Sequence, residues 1–215
     1  MSPPRSRSSP RRRPAAGQAR GDATRARLLT CAHAQFLRRG YHATSMRAIA
    51  QAAGVAVGGI YNHFANKEEI FAAVLDAYHP YHVIFPALEQ TQGETVEEFV
   101  RNAMTHFKAA AAGIERDLVP LMFVELVEFQ GRHLRDMVRR LIPTILVFVQ
   151  RFGRRKGKLR RVSQLAMMRT LISLLVGYLV TESVLKDTPL LPGDRMGQFD
   201  DMIDIYLHGI AAAEA

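Results

Sequence analysis

Tyr61, Asn62 and His63 stand in a row at the end of a segment otherwise poor in side chains. The stretch from Gly54 to Phe71 reads GVAVGGIYNHFANKEEIF, with three glycines in its first six residues. A phenol, an amide and an imidazole together offer several hydrogen-bond donors. Such donors suit phosphate oxygens, and the Asn62 amide also suits the edge of a base. Tyr61 has a second reading, half in the core. Lys67 follows at the start of another helical segment, where backbone N–H groups and a cation together favour a phosphate oxygen. This is chemistry of recognition rather than of bond making.

The elements that must hold these groups are short helices. A first helix runs from about Asp22 or Thr24 to Arg39, with Leu29, Ala32 and Phe36 on one face, and Gly40 stops it. A second begins near Thr44-Ser45, carries Met46, Ile49 and Ala53 inward and ends at Gly54. A third covers about Ala56 to His63. Two short helices joined at Ala53-Gly54-Val55 have the layout of a helix-turn-helix, whose second helix enters a major groove. Val55 and Ile60 can pack that short helix inward. Gly58 and Gly59 leave its entry bare, so its backbone can lie close to a duplex.

Charge agrees with a polyanionic partner. Residues 1–67 hold 12 Lys and Arg against one acid, Asp22, while the other 148 residues are near neutral at −2. A basic first third is the electrostatic footprint expected for nucleic acid. Residues 1–20 carry six arginines among prolines and serines, too few apolar groups to offset ordering entropy, so a disordered tail is expected there. That tail reads as a solvated extension or as an arm for an adjacent minor groove.

From Thr24 to Leu75 the chain reads TRARLLTCAHAQFLRRGYHATSMRAIAQAAGVAVGGIYNHFANKEEIFAAVL. Phe36, Gly40 and Tyr41, the helix from Thr44 to Ala50, Ala53-Gly54-Val55, Ile60-Tyr61-x-His63-Phe64 and Lys67-Glu68 together resemble the N-terminal domain of TetR-family transcriptional regulators. The resemblance covers about a quarter of the chain. It implies an all-α fold: a three-helix helix-turn-helix DNA-binding domain over residues 21–66, joined to a helical ligand-binding and dimerisation domain over 67–215, about nine helices in all. It implies phosphate contacts from Thr44, Tyr61, His63 and Lys67. Arg47, Val57, Gly58, Gly59 and Asn62 then face bases or their edges. Val57 departs from the polar residue often found there, so specificity leans on Arg47, Asn62 and DNA shape.

The remaining sequence is helical in period. Asn66 caps a fourth helix that Pro80 and Pro86 should kink or end. Thr95-Val96-Glu97-Glu98 is a capping box opening a fifth, to about Gly113. Two more cover about Leu118 to Phe152, with breaks marked by Gly131 and Pro143. The run Arg151 to Arg161 reads as a solvated basic connector. The last two helices span about Ser163–Lys186 and Asp194–Ala213. By the resemblance this last pair dimerises, through Met168, Leu171, Ile172, Leu175 and Leu179 on one and Phe199, Met202, Ile203, Tyr206 and Ile210 on the other. Packing of these stripes within one chain is the alternative.

By the same resemblance an effector site is expected among the fourth to eighth helices. Polar or aromatic residues on apolar helices mark it: His106, Phe107, Met122, Glu125, Glu128, Phe129, His133 and Tyr178. Glu125 and Glu128 lie on one face of LMFVELVEF, and burying carboxylates is costly without a partner. One of them is expected to reach into an apolar pocket. The rival expectation pairs them with Arg132 or Arg135.

Other functions find little support. Glu-x-x-His pairs for a two-metal carboxylate centre are missing, as are a phosphate-binding lysine loop, a dinucleotide fingerprint and a Gly-x-Ser-x-Gly elbow. His79-Pro-Tyr-His82 is weak as a metal site. No catalytic, metal or cofactor residues are therefore assigned. Cys31, the one cysteine, reads as a small apolar residue on the first helix, and no internal disulfide can form. No apolar run approaches the ~20 residues of a membrane span, and the basic N-terminal stretch has no apolar segment of a secretory signal. The expectation is a cytoplasmic homodimer that binds a palindromic double-stranded operator as a repressor and is released by a small-molecule effector. An activator of the same architecture, or a DNA-binding protein without an effector, are the alternatives.

Overall fold

The structure, a computed structural model, describes residues 16–111, 115–157, 159–185 and 199–210. These form ten helices: α1 (Ala16–Arg39), α2 (Met46–Ala52), α3 (Val57–Ile60), α4 (Lys67–Tyr78), α5 (Tyr81–Glu89), α6 (Val96–Ala111), α7 (Glu115–Glu128), α8 (Arg132–Gly153), α9 (Gln164–Leu185) and α10 (Phe199–Ile210). Among the described residues no strand occurs beyond an isolated bridge between Thr95 and Lys156. The expected count of about nine rises by one because Pro80 both ends α4 and opens α5. Its carbonyl accepts the N–H groups of Val83 and Ile84 at 3.0 and 2.9 Å, and a proline at a helix start gives up no needed donor.

Two compact units divide the chain, Met1–Val74 and Leu75–Ala215. The division falls inside α4, not between residues 66 and 67. The reason is burial: Ile70, Phe71 and Val74 at the start of α4 have no exposure and belong to the first unit's core. That core also holds Leu28, Ala32 and Phe36 of α1, Ile49 of α2 and Ile60 and Phe64 around α3. Phe71 meets the ring edges of Phe36 and Tyr41 at 5.6 and 5.4 Å. α1 starts at Ala16, so residues 16–20 are helical instead of part of the expected tail. Residues 1–15 lie outside the described residues.

The second unit has its own core. Phe99, Val100, Ala103 and Phe107 of α6 pack with Phe148 and Phe152 of α8, Met167 and Leu171 of α9, and Phe199, Ile203 and Tyr206 of α10. The buried Tyr206 hydroxyl donates to Met167 O at 2.9 Å, and burial pushes its pKa up to about 12. The capping box forms as read: Glu98 N donates to Thr95 Oγ1 at 3.1 Å, and the Glu98 carboxylate accepts from Glu94 N and Thr95 N. Pro143 sits inside α8 without ending it. The start expected for the last helix, at about Asp194, lies outside the described residues.

The basic run is less solvated than expected. Arg151 donates to the carbonyls of Leu88, Glu89 and Thr91, clamping the end of α5. Arg155 lies over the Phe99 ring, and Arg160 reaches Gly209 O at the end of α10, where a cation suits the helix dipole. α9 corrects a second expectation. Gln164–Val184, at mean hydropathy 1.4, is long and apolar enough to cross a membrane by length and composition. Its inner residues Met167, Leu171 and Leu175 are nevertheless packed in the core.

Candidate nucleic-acid interface and an apolar cavity

In the first unit, α2 and α3 form the helix-turn-helix. Ser45 caps α2, its Oγ accepting Ala48 N–H at 3.1 Å. Gly54, at φ +64°, makes the turn, a conformation that side chains with a Cβ rarely adopt. α3 is a single turn, Val57–Ile60, and Tyr61, Asn62 and His63 follow as turn residues, so this helix is shorter than expected. Asn66 caps α4, accepting Glu69 N–H at 2.8 Å.

The two glycines differ in purpose. A Cβ on Gly59 would meet Val55 Cγ1 at 3.1 Å, a tight contact with the turn on which α3 packs. A Cβ on Gly58 would meet nothing within 4 Å. Gly58 is therefore bare for no internal reason, which is what close approach by another molecule requires. Around it Arg47, Val57, Tyr61 and Asn62 are exposed, and His63 is half-buried.

Two residues read as phosphate contacts are engaged inside the unit. Thr44 is buried at 1% exposure, and its hydroxyl lies 2.8 Å from Gly40 O and 3.3 Å from Gln35 O. It ties the start of α2 to the end of α1. Lys67 Nζ donates to Tyr41 O at 2.7 Å and His42 O at 3.4 Å, and lies 4.2 Å from the Tyr41 ring centroid. Its ammonium binds the turn between α1 and α2, 25 or more residues back in the chain.

The second unit contains a cavity of about 300 Å³ among α5, α6, α7, α8 and α9, the low end of the ~300–1,000 Å³ common for ligand sites. Ile84, Met104, Phe107, Met122, Phe148 and Leu171 typify its wall, and only His79 and Tyr81 contribute polar side chains. Phe123 and Leu126 of α7 and Ile172 and Val176 of α9 line it while about half exposed, and form its rim.

Of the residues expected at an effector site, Phe107 and Met122 lie on this wall and the others do not. Glu125 has no exposure and faces the start of α8: its Oε1 accepts His133 N–H at 2.8 Å and Leu134 N–H at 3.3 Å, and its Oε2 meets His133 Nδ1 at 2.7 Å. A buried carboxylate takes the best donors in reach, and the unsatisfied N–H groups of a helix start are such donors. His133 is thereby held at the pair, with the buried Phe129 ring 4.8 Å away. Glu128 is exposed. His106 Nδ1 pairs with Thr91 Oγ1 at 3.1 Å, and Tyr178 packs edge-on to Phe199. The sequence reading missed His79, Tyr81 and all of α5. The one available signal was the run HPYHVIF, in which a proline can open a helix as well as close one.

The residues expected to dimerise are mostly interior. Leu171, Leu175, Phe199, Ile203, Tyr206 and Ile210 are buried in the core, and Met168, Leu179 and Met202 pack against it. Ile172 alone of the set is exposed. The outward apolar positions are Leu165, Ile172, Val176 and Val184 on α9 and Ile205 on α10.

Residues 28–74 match the family described as bacterial regulatory proteins, tetR family. The chain is 43% identical over 72 residues to the transcriptional activator FasR of Mycolicibacterium smegmatis, covering 31% of this chain and 33% of that protein. It is 44% identical over 104 residues to the transcriptional regulator TtgR of Pseudomonas putida, covering 48% of this chain and 43% of that one. The matches thus span a third to under a half of these relatives. The solved structure of SmeT, named as the repressor of the Stenotrophomonas maltophilia multidrug efflux pump SmeDEF, is similar at 27% identity and a TM-score of 0.60, over 87% of this chain and 90% of that one. The helix-turn-helix built from α2 and α3, with its bare Gly58 and exposed Arg47, Tyr61 and Asn62, lies within the matched residues 28–74 and is similar to that of TetR-family transcriptional regulators.

Proposed function

We propose that this chain is a homodimeric, cytoplasmic repressor that binds a palindromic operator and is released by a small apolar effector held in the cavity of the second unit. The observation that carries this reading is the cavity itself: a space of about 300 Å³ walled by apolar side chains in a chain that also carries a DNA-binding domain. Repression is supported by the likeness to SmeT, which runs over most of both chains. Activation is the second reading, favoured by the match to FasR, although that match covers 31% of this chain.

Binding to DNA follows from the exposed groups. Arg47 and Asn62 are assigned to base edges, and Tyr61 and His63 to phosphates. Thr44 and Lys67 act chiefly by shaping the unit, since their polar groups already serve the turn after α1. Two copies would bind half-sites about one helical turn, ~34 Å, apart. Dimerisation is assigned to the outward apolar residues of α9 and α10, whose burial against a second copy is favourable. The effector acts by binding more tightly to a conformation whose recognition helices no longer fit successive grooves.

The test is a fluorescence-anisotropy titration of the purified chain against the intergenic DNA upstream of its gene, with and without apolar ligands. The expected result is salt-dependent, sequence-specific binding that such a ligand weakens. Affinity equal to that for scrambled DNA would overturn the assignment of a specific operator there. Specific binding untouched by any ligand that occupies the cavity would leave a DNA-binding protein without effector control.

A further inference from the structure

In a wall otherwise made of hydrocarbon, thioether and phenyl groups, His79 and Tyr81 bring the two polar side chains. Tyr81 spends its hydroxyl elsewhere, donating to Asp76 Oδ1 at 3.1 Å, an oxygen that Arg140 also holds at 2.6 Å. His79 uses one ring nitrogen in the fold: Nδ1 accepts the backbone N–H of Tyr81 at 3.3 Å. A nitrogen that accepts carries no proton, so the neutral ring bears its proton on Nε2. Burial, with His82 close by, pushes the His79 pKa down to about 4, and the ring is neutral at physiological pH. No described residue takes the Nε2–H. The ring therefore brings one uncommitted donor to an apolar cavity.

Resting on the reading of this cavity as the effector site, we propose that His79 Nε2–H selects the effector, a neutral and largely apolar molecule with one hydrogen-bond acceptor, such as a ketone or ester carbonyl. Three alternatives fit less well. A cationic ligand finds no carboxylate on the wall, because Glu125 is turned to the start of α8. A carboxylate ligand would lose its hydration for a single neutral donor. A plain hydrocarbon would seal in the Nε2–H without a partner, and a buried donor left unmade is costly.

Cyclohexyl phenyl ketone and benzylcyclohexane, near-isosteres that differ at one carbonyl, are suitable probes, titrated calorimetrically into the full chain. Asparagine at position 79 reproduces the Nδ1 acceptor and offers nothing at the Nε2 position. Glutamine reaches the Nε2 position with an amide donor. The preference for ketone over hydrocarbon is expected to fall about five- to tenfold in His79→Asn, the worth of one neutral hydrogen bond, and to persist in His79→Gln. An unchanged preference in His79→Asn, with both probes still bound, overturns the proposal and leaves the cavity reading standing. If neither probe binds the wild-type chain, or if Met122→Trp leaves both affinities unchanged, the cavity reading fails and the proposal with it. Long-range proton–nitrogen correlation spectra of the wild-type chain add a readout that needs no variant. A proton found on His79 Nδ1 overturns the proposal.

Discussion

Glu125 supports the start of α8 from outside that helix, and its replacement has a calculable cost. α8 opens at Gly131, which sits at φ +73° and provides no side-chain cap. The first N–H groups of a helix have no partner within it, and a buried helix start needs one. Glu125, fully buried on α7, supplies an oxygen to His133 N and Leu134 N and its second oxygen to the His133 ring. Glu125→Gln keeps one oxygen for the two backbone donors and loses the charge and the second oxygen. Hydrogen bonds to a charged acceptor are worth roughly twice neutral ones, so a loss of about 2 kcal/mol is expected. Glu125→Leu keeps the volume and removes every acceptor, leaving two N–H groups and an imidazole unsatisfied, at about 3–5 kcal/mol. At roughly 2–4 °C per kcal/mol for a chain of this size, melting should fall by about 4–8 °C for Gln and about 6–20 °C for Leu. Far-UV circular dichroism during thermal and urea unfolding measures both. A Leu variant within ~0.5 kcal/mol of wild type would refute the reasoning, since surface-like tolerance is incompatible with a buried cap.

Four further outcomes are expected. Gly58→Ala, with open space for its Cβ, should leave the first unit folded and no less stable while weakening operator binding; equal DNA affinity in an anisotropy titration would remove the close-approach argument. Tyr61→Phe should weaken binding to all sequences alike and leave the salt slope nearly unchanged, since a neutral hydroxyl releases no counterion, whereas Arg47→Ala should cost ~1–3 kcal/mol chiefly on the preferred sequence. Leu165→Glu with Ile205→Glu should give a folded monomer by light scattering, because both residues are exposed, while Leu175→Glu should unfold the second unit. His79, with its pKa lowered from 6.5 to about 4, makes the fold acid-sensitive: between those values the unfolded chain takes up a proton that the folded chain refuses. Stability should thus fall with pH by up to about 3 kcal/mol, and the wild-type advantage over His79→Asn should shrink by that amount between pH 7 and 4 in urea titrations.

The helix starts and stops of both units were legible because their determinants are local. Ser45, Asn66 and the Thr95–Glu98 box cap helices through bonds spanning three residues. Gly40 and Gly54 take positive φ where a helix must stop. Such interactions depend on neighbours in sequence, so residue types at fixed spacing are enough to reveal them. Pro80 was the local signal that pointed two ways, and α5 was missed for that reason.

Chain order and residue type by themselves determined the helical class, the helix-turn-helix and the exposure of the groups around Gly58. Tertiary structure decided the rest, wherever a choice lay between partners distant in sequence. α9 carries apolar residues on every face, so periodicity had no means of selecting the inward one; the core took Leu171 and Leu175 and left Leu165 and Val176 outside. Lys67 and Glu125 are both ionic groups near helix ends, and a cation or carboxylate in a sequence suggests a ligand as readily as a neighbour. Lys67 found carbonyls 25 and 26 residues back, and Glu125 found N–H groups eight and nine residues on. Buried or half-buried charge is costly until satisfied, and the fold satisfied it internally before any ligand could.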